Sequence, residues 1–202
     1  MYPNLMERPE GWKHSFGQAR AALSHLEKYG VGEGDIFLYF GWFREAEISK
    51  GRWRFVQGSP DLHLIYAYLE VGNIWKRMDG DPPAFLAKHP HIFCEDSFPP
   101  SQNAIFIGAD ICSLDSNMKG CDSLSFDHKR VLTGIELKRS RWILPSCLFK
   151  RNGICKLSYH DRQKGEKLLG RDEYLITAVP RGQEFVVELD EPTKKWIWDL
   201  LK

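Results

Sequence analysis

The chain has 202 residues, 43% of them hydrophobic, with seven Trp, seven Tyr and twelve Phe. That length suits one large domain, and rings that each bury about 150–250 Å² supply enough core to exclude a disordered chain. With 28 basic and 27 acidic residues the formal charge is +1, which excludes the global attraction to a polyanion used by duplex binders; any nucleic-acid contact must be local.

The five cysteines, Cys94, Cys112, Cys121, Cys147 and Cys155, are odd in number and form no C-x-x-C pair, a pattern of neither a zinc cradle nor a disulfide framework. No apolar run approaches the roughly 18 residues of a membrane span, and the polar start has no signal-peptide core. A reducing cytoplasm and no membrane contact are the expectations.

Along the chain, Ser15 and Gln18 have the form of a capping box, and Phe16, Ala19, Leu23 and Leu26 follow at helical spacing up to Gly30. This predicts a helix from about Ser15 to Tyr29. DIFLYFGWFREAEI is too aromatic and apolar for a half-exposed helix, and Ser49-Lys50-Gly51 and the alternating RWRFVQ follow it. The pattern predicts a hairpin with a buried first strand.

DLHLIYAYLEVG, Asp61 to Gly72, suits a helix by Leu62, Ile65 and Leu69 and a strand by its aromatic and branched content; strand is the expectation. Pro82 and Pro83 open a short helix through PPAFLAKH, and NAIFIGADI is a further strand. Ser113 to Asn152 is weakly periodic and turn-rich. YLITAV and EFVVEL flank the turn-like PRGQ as a second hairpin, and Asp190 or Glu191 with Pro192 starts an amphipathic helix carrying Trp196, Trp198 and Leu201. The sum is one domain over residues 1–202. Its fold is α+β and strand-rich, with a mixed or antiparallel sheet, an N-terminal helix and a C-terminal helix.

Polar residues inside these apolar runs are the candidate site. Arg44, after a highly hydrophobic run, needs a partner or a ligand such as phosphate, or else meets Glu45 or Glu47 at the surface. His63 and Glu70 are seven apart, on opposite faces of a regular strand and aligned in a helix. His89-Pro90-His91 places two imidazoles together, for metal, proton transfer or a proline-held loop. A third ligand is not local, and no metal is assigned. KRSRW joins three cations to the ring of Trp142, a chemistry suited to a nucleotide or to a solvated turn. Arg181, Gln183 and Glu184 stand at a strand entry, with Gly182 allowing close approach. Neither a P-loop nor a dinucleotide fingerprint is present, and no cofactor is named.

The ordered motifs HLEKYGVGEGDIFLYFGWFRE, SPDLHLIYAYLEVGNI, KHPHI followed by NAIFIG, SRWILP, LSYH and RGQEFV resemble the third of the nucleotide modification associated domains. This is a bacterial and phage family whose name reflects a role, inferred from genomic company, in making or handling modified nucleotides in DNA. The resemblance runs from about Pro9 to Leu201. It implies an added amino-terminal segment with a serine-arginine-lysine-glycine motif, absent before Met1; if that segment contributes to the active site, this chain is incomplete.

The positions matching the family's polar pattern are Arg44, Asp61, His63, His89, His91, Asn103, Arg141, His160, Arg181, Gln183 and Glu184. The resemblance, with residue chemistry, assigns His63, His160 and Glu184 to catalysis and Arg44, Asn103, Arg141, Arg181 and Gln183 to substrate. The partner expected is a nucleotide or single-stranded DNA. Three functions follow: modification of a nucleotide or DNA base, noncatalytic reading of a modified base in an aromatic pocket, and an interaction role without a ligand.

Overall fold

The computed structural model describes residues 8, 10–93, 98–134, 138–168, 172–178 and 184–202. In chain order they form β1 (Ser15–Ala19), α1 (Arg20–Lys28), β2 (Ile36–Phe43), β3 (Ala46–Ser49), β4 (Arg52–Phe55), β5 (Leu62–Lys76), α2 (Pro90–Phe93) and β6 (Asn103–Gly108). Then come β7 (Ile111–Cys112), β8 (Asp115–Lys119), β9 (Cys121–Ser123), β10 (Arg141–Pro145), β11 (Glu166–Lys167), β12 (Glu173–Thr177) and α3 (Glu191–Leu201). The fold is α+β and strand-rich. Its largest sheet runs in the order β1-β6-β5-β2, with β9 also beside β5. The chain divides into two compact units, Met1–Phe37 with Tyr68–Asp122, and Leu38–Ala67 with Ser123–Lys202. Among the described residues no helix is long and apolar enough to cross a membrane.

In the first unit β6 is buried at all six positions, as a continuous apolar run requires when both strand faces are covered. The long strand expected from DLHLIYAYLEVG forms as β5, which pairs antiparallel with β6 through a register shift at Val71/Asn73. The other edge of β6 corrects the sequence reading. Ser15–Ala19 does not begin a helix; it pairs from Ser15↔Ile107 to Ala19↔Asn103. The β6 edge gives these five residues backbone partners, and Phe16 packs edge-on against Phe37 at 5.2 Å. The helix starts only at Arg20, preceded by Ala19, so the capping box cannot close. Leu23 and Leu26 form the buried stripe the spacing predicted.

Two glycines allow tight packing here. A Cβ on Gly72 would lie 2.7 Å from Ala109 Cα, and one on Gly120 would strike the Ala109 carbonyl. Glu70 is buried, and its carboxylate accepts the Ser113 N–H at 2.7 Å, so it serves backbone architecture.

In the second unit, Lys50 (φ 52°) and Gly51 (φ 73°) are both left-handed, the signature of a type I′ turn, and β3 and β4 pair across it. The expected hairpin forms, but its first strand is not buried. β2 ends at Phe43, and β3 begins after Arg44-Glu45 as an exposed strand.

The second hairpin is also corrected: β12 pairs with β10 and β11, whereas EFVVEL is not a strand. β10 lies in the stretch that weak periodicity left as turns. Once it and β11 occupy both edges of β12, EFVVEL bonds elsewhere, with Val186 N–H donating to Ser158 Oγ (2.7 Å) and Ser158 N–H to Val186 O (2.9 Å). The PRGQ turn lies outside the described residues.

α3 forms as expected, with Asp190 accepting the Thr193 N–H at 3.0 Å as N-cap. Thr193, Ile197, Leu200 and Leu201 are its buried face. Buried Arg130 donates to Leu200 O (2.8 Å) and Ser125 O (2.7 Å), placing a cation at the negative end of the helix.

Candidate functional site

Strand alternation turns Trp142 inward and Arg141 to the opposite face of β10. Trp142 Nε1–H is shared between His63 Nδ1 (3.0 Å) and Arg139 O (3.1 Å). Phe40 meets His63 and Trp142 edge-on at 5.7 and 5.0 Å, and lies nearly parallel to Phe185 at 6.0 Å. Phe185 in turn contacts Trp142 at 5.7 Å and His160 at 4.9 Å. Two predicted histidines thus flank one three-ring aromatic cluster in the second unit.

The imidazoles differ in state. Because His63 Nδ1 accepts from Trp142, the neutral ring carries its proton on Nε2. Burial, then the Arg139 charge, pushes its pKa below the usual value, so it is a neutral hydrogen-bond donor near pH 7. His160 is 2% exposed, and neither ring nitrogen makes a hydrogen bond of good geometry. Burial lowers its pKa, offset in part by the nearby backbone of Ser158 and Thr177. The backbone of Ser158 and Thr177 satisfies this buried imidazole only weakly. Its neighbour Tyr159 is half exposed with φ 63°, an unusual conformation for an aromatic residue. Glu184 is half-buried and immediately precedes Phe185.

The other predicted residues of this unit are placed differently. Half-buried Arg141 donates to Thr177 Oγ1 at 2.8 Å and lies 3.6 Å from Glu166, on the face of β10 away from Trp142. Arg44 is exposed, bonds Ser59 Oγ at 3.3 Å and lies over the Phe55 ring at 5.4 Å. Asp61 has one buried carboxylate oxygen without a partner. Arg181 and Gln183 lie outside the described residues.

Asn103, His89 and His91 meet in the first unit. Buried Asn103 Oδ1 lies 2.6 Å from His91 Nδ1, and Asn103 Nδ2 donates to His91 O at 2.9 Å. Both ends of this amide are committed to His91, which therefore carries its proton on Nδ1 and leaves Nε2 as the basic atom. The His91 ring stacks on Phe98 at 4.0 Å. His89 Nδ1 accepts the His91 N–H at 3.1 Å, and burial, then His91, pushes the His89 pKa down to about 4. These imidazoles approach β1 because residue 17 is glycine: a Cβ there would collide with His91 and lie 2.7 Å from His89 Cε1.

The residue reading missed Phe40, Phe185 and the inward role of Trp142. Alternation within RWILP was the available signal for Trp142, but the adjoining cations drew that ring into a surface reading. Among the described residues, no group of three or more His, Cys, Asp or Glu is arranged to hold a metal ion.

The family model described as nucleotide modification associated domain 3 matches residues 2–188. No curated protein and no solved structure matches the chain. Because the family match takes in nearly the whole sequence, including every candidate residue above, the chain belongs to the nucleotide modification associated domain 3 family.

Proposed function

We propose that this protein binds a nucleotide, or a base in single-stranded DNA, at the His63–Trp142–Phe185–His160 cluster and modifies it there. The observation that carries this reading is the convergence of two imidazoles, His63 and His160, on one cluster of aromatic rings, a chemistry suited to a base. His63 supplies a neutral Nε2–H donor and His160 a proton acceptor, each kept uncharged near pH 7 by burial. Glu184, immediately before Phe185, is assigned to proton relay. The family match spans segments of both units, which supports treating the chain as one functional domain.

The test is native mass spectrometry after incubation with a panel of nucleotides and short single-stranded DNAs, with and without divalent metals. A ligand of altered mass is the expected result. His160→Phe should lower that conversion by about 100-fold or more, the scale of acid–base catalysis. Unchanged conversion in this variant would remove His160 from the chemistry.

A second reading, a noncatalytic reader of modified bases, is favoured by one feature: among the described residues, no carboxylate is hydrogen-bonded to His63 or His160. It requires a retained ligand of unaltered mass.

A further inference from the structure

The aromatic cluster around His63 reaches solvent at Trp42. Phe40 and Trp42 are two residues apart on β2, so strand alternation puts both rings on the face that meets His63 and Trp142. Phe40 is half-buried among those rings, whereas Trp42 is 62% exposed. The Arg139 guanidinium lies over the Trp42 ring, 4.4 Å from its centroid.

Arg139 is tied to the same cluster through its backbone. Its carbonyl and His63 Nδ1 share the Trp142 Nε1–H, at 3.1 and 3.0 Å, which fixes the turn carrying Arg139 beside His63. After burial, the Arg139 charge is the next cause of the lowered His63 pKa. The side chain is half-buried, yet among the described residues its guanidinium has neither a hydrogen bond nor a carboxylate at ion-pair distance. Arg141 differs, since it lies on the opposite face of β10 and donates to Thr177 Oγ1.

A cation partly withdrawn from water with no anion beside it is under-compensated. The ring beneath Arg139 holds the guanidinium in position, and its N–H fork matches two oxygens of a phosphate. We propose that Arg139, held over Trp42, binds a phosphate of the substrate whose base enters the His63–Trp142–Phe185–His160 cluster. The proposal rests on the nucleotide reading of that cluster and narrows it: the substrate is a phosphorylated nucleoside, free or within a single strand, and not a free base or nucleoside.

The experiment is isothermal titration calorimetry of the full chain with the common deoxynucleosides, their 5′-monophosphates and a short single-stranded oligodeoxynucleotide. Arg139→Gln and Trp42→Ala accompany the wild type. Arg139→Gln keeps the backbone carbonyl that meets Trp142, and Trp42 is exposed, so both variants should retain the wild-type circular dichroism. The wild type should bind at least one phosphate-bearing probe ~10-fold or more tighter than the matching nucleoside, the scale of hydrogen bonds to a charged group, and Arg139→Gln should remove that margin. Trp42→Ala should weaken the same probe by ~2- to 5-fold, as expected of a ring that positions the cation. Monophosphate against oligodeoxynucleotide separates a free nucleotide from a strand as the source of the phosphate. A margin kept in Arg139→Gln overturns the assignment and leaves the nucleotide reading standing, as does equal binding of nucleoside and phosphate-bearing probes by the wild type. Equal weakening of nucleoside and monophosphate in Arg139→Gln also overturns it, by showing a structural role. Absence of binding to every probe removes the nucleotide reading and this proposal together.

Discussion

Burial, and next the neighbouring His91, hold His89 neutral down to about pH 4, whereas the same ring in the unfolded chain takes a proton near pH 6.5. Between those values the unfolded state binds the extra proton, so stability is highest above pH 6.5 and falls as the pH drops through that window. His63, His160 and His14 are shifted in the same direction, chiefly by burial, and add to the loss. Melting curves from pH 7 to pH 4 should show the decline, and His89→Gln should make it shallower; an identical slope would contradict the assignment.

Asp190 works in a lower window. Its hydrogen bonds to Lys156 and Thr193 push its pKa to about 2 from a usual 3.8, so its contribution is present above pH 3.8 and disappears as the pH falls toward 2. The side chain is 40% exposed, which limits the ion pair's share through solvent screening; the helix cap carries the rest. Asp190→Ala should cost about 1 kcal/mol at neutral pH. In a chain of this size that is a melting shift of roughly 2–4 °C. The difference from wild type should vanish toward pH 2.

At the element scale, the N-terminal segment shows a local helix signal overruled by a neighbouring strand. Phe16, Ala19, Leu23 and Leu26 have helical spacing, yet the first two are drawn into β1, where each pairs with β6. Gly17 explains part of that choice: in β1 its missing side chain leaves room for His89 and His91. Gly17→Ala forces those packed rings to move and should destabilise the fold by about 1–3 kcal/mol, the usual scale of overpacking. Chemical denaturation should show the loss, and the His89 and His91 ring resonances should shift with it. A stability gain would show that β1 accommodates the methyl without strain. The same lesson applies at β12, whose apolar pattern shows that it is a strand but does not choose between EFVVEL and β10 as its partner.

Across the whole molecule, amide hydrogen exchange should follow burial. β6, closed to solvent at every position, should exchange slowest, while β3–β4, exposed along nearly its whole length, should exchange fast. Comparable protection in both would mean that the ribbon is covered in solution. The sequence by itself determined the features written in short-range patterns: the α+β class, strand β5 from its aromatic and branched content, strand β6 from a continuous apolar run, the turn at Lys50-Gly51, and α3 from Asp190 and Pro192. Its ordered motifs also determined the family. Residue chemistry singled out His63, His91 and His160 one at a time, and the family resemblance added Asn103. Their grouping was not legible. Only the tertiary structure decided that His63 and His160 share one aromatic cluster while Asn103 is engaged by His91, because proximity between residues 40, 63, 142, 160 and 185 depends on long-range strand pairing. Local periodicity reports which side of an element faces the core; it does not report which distant element lies there.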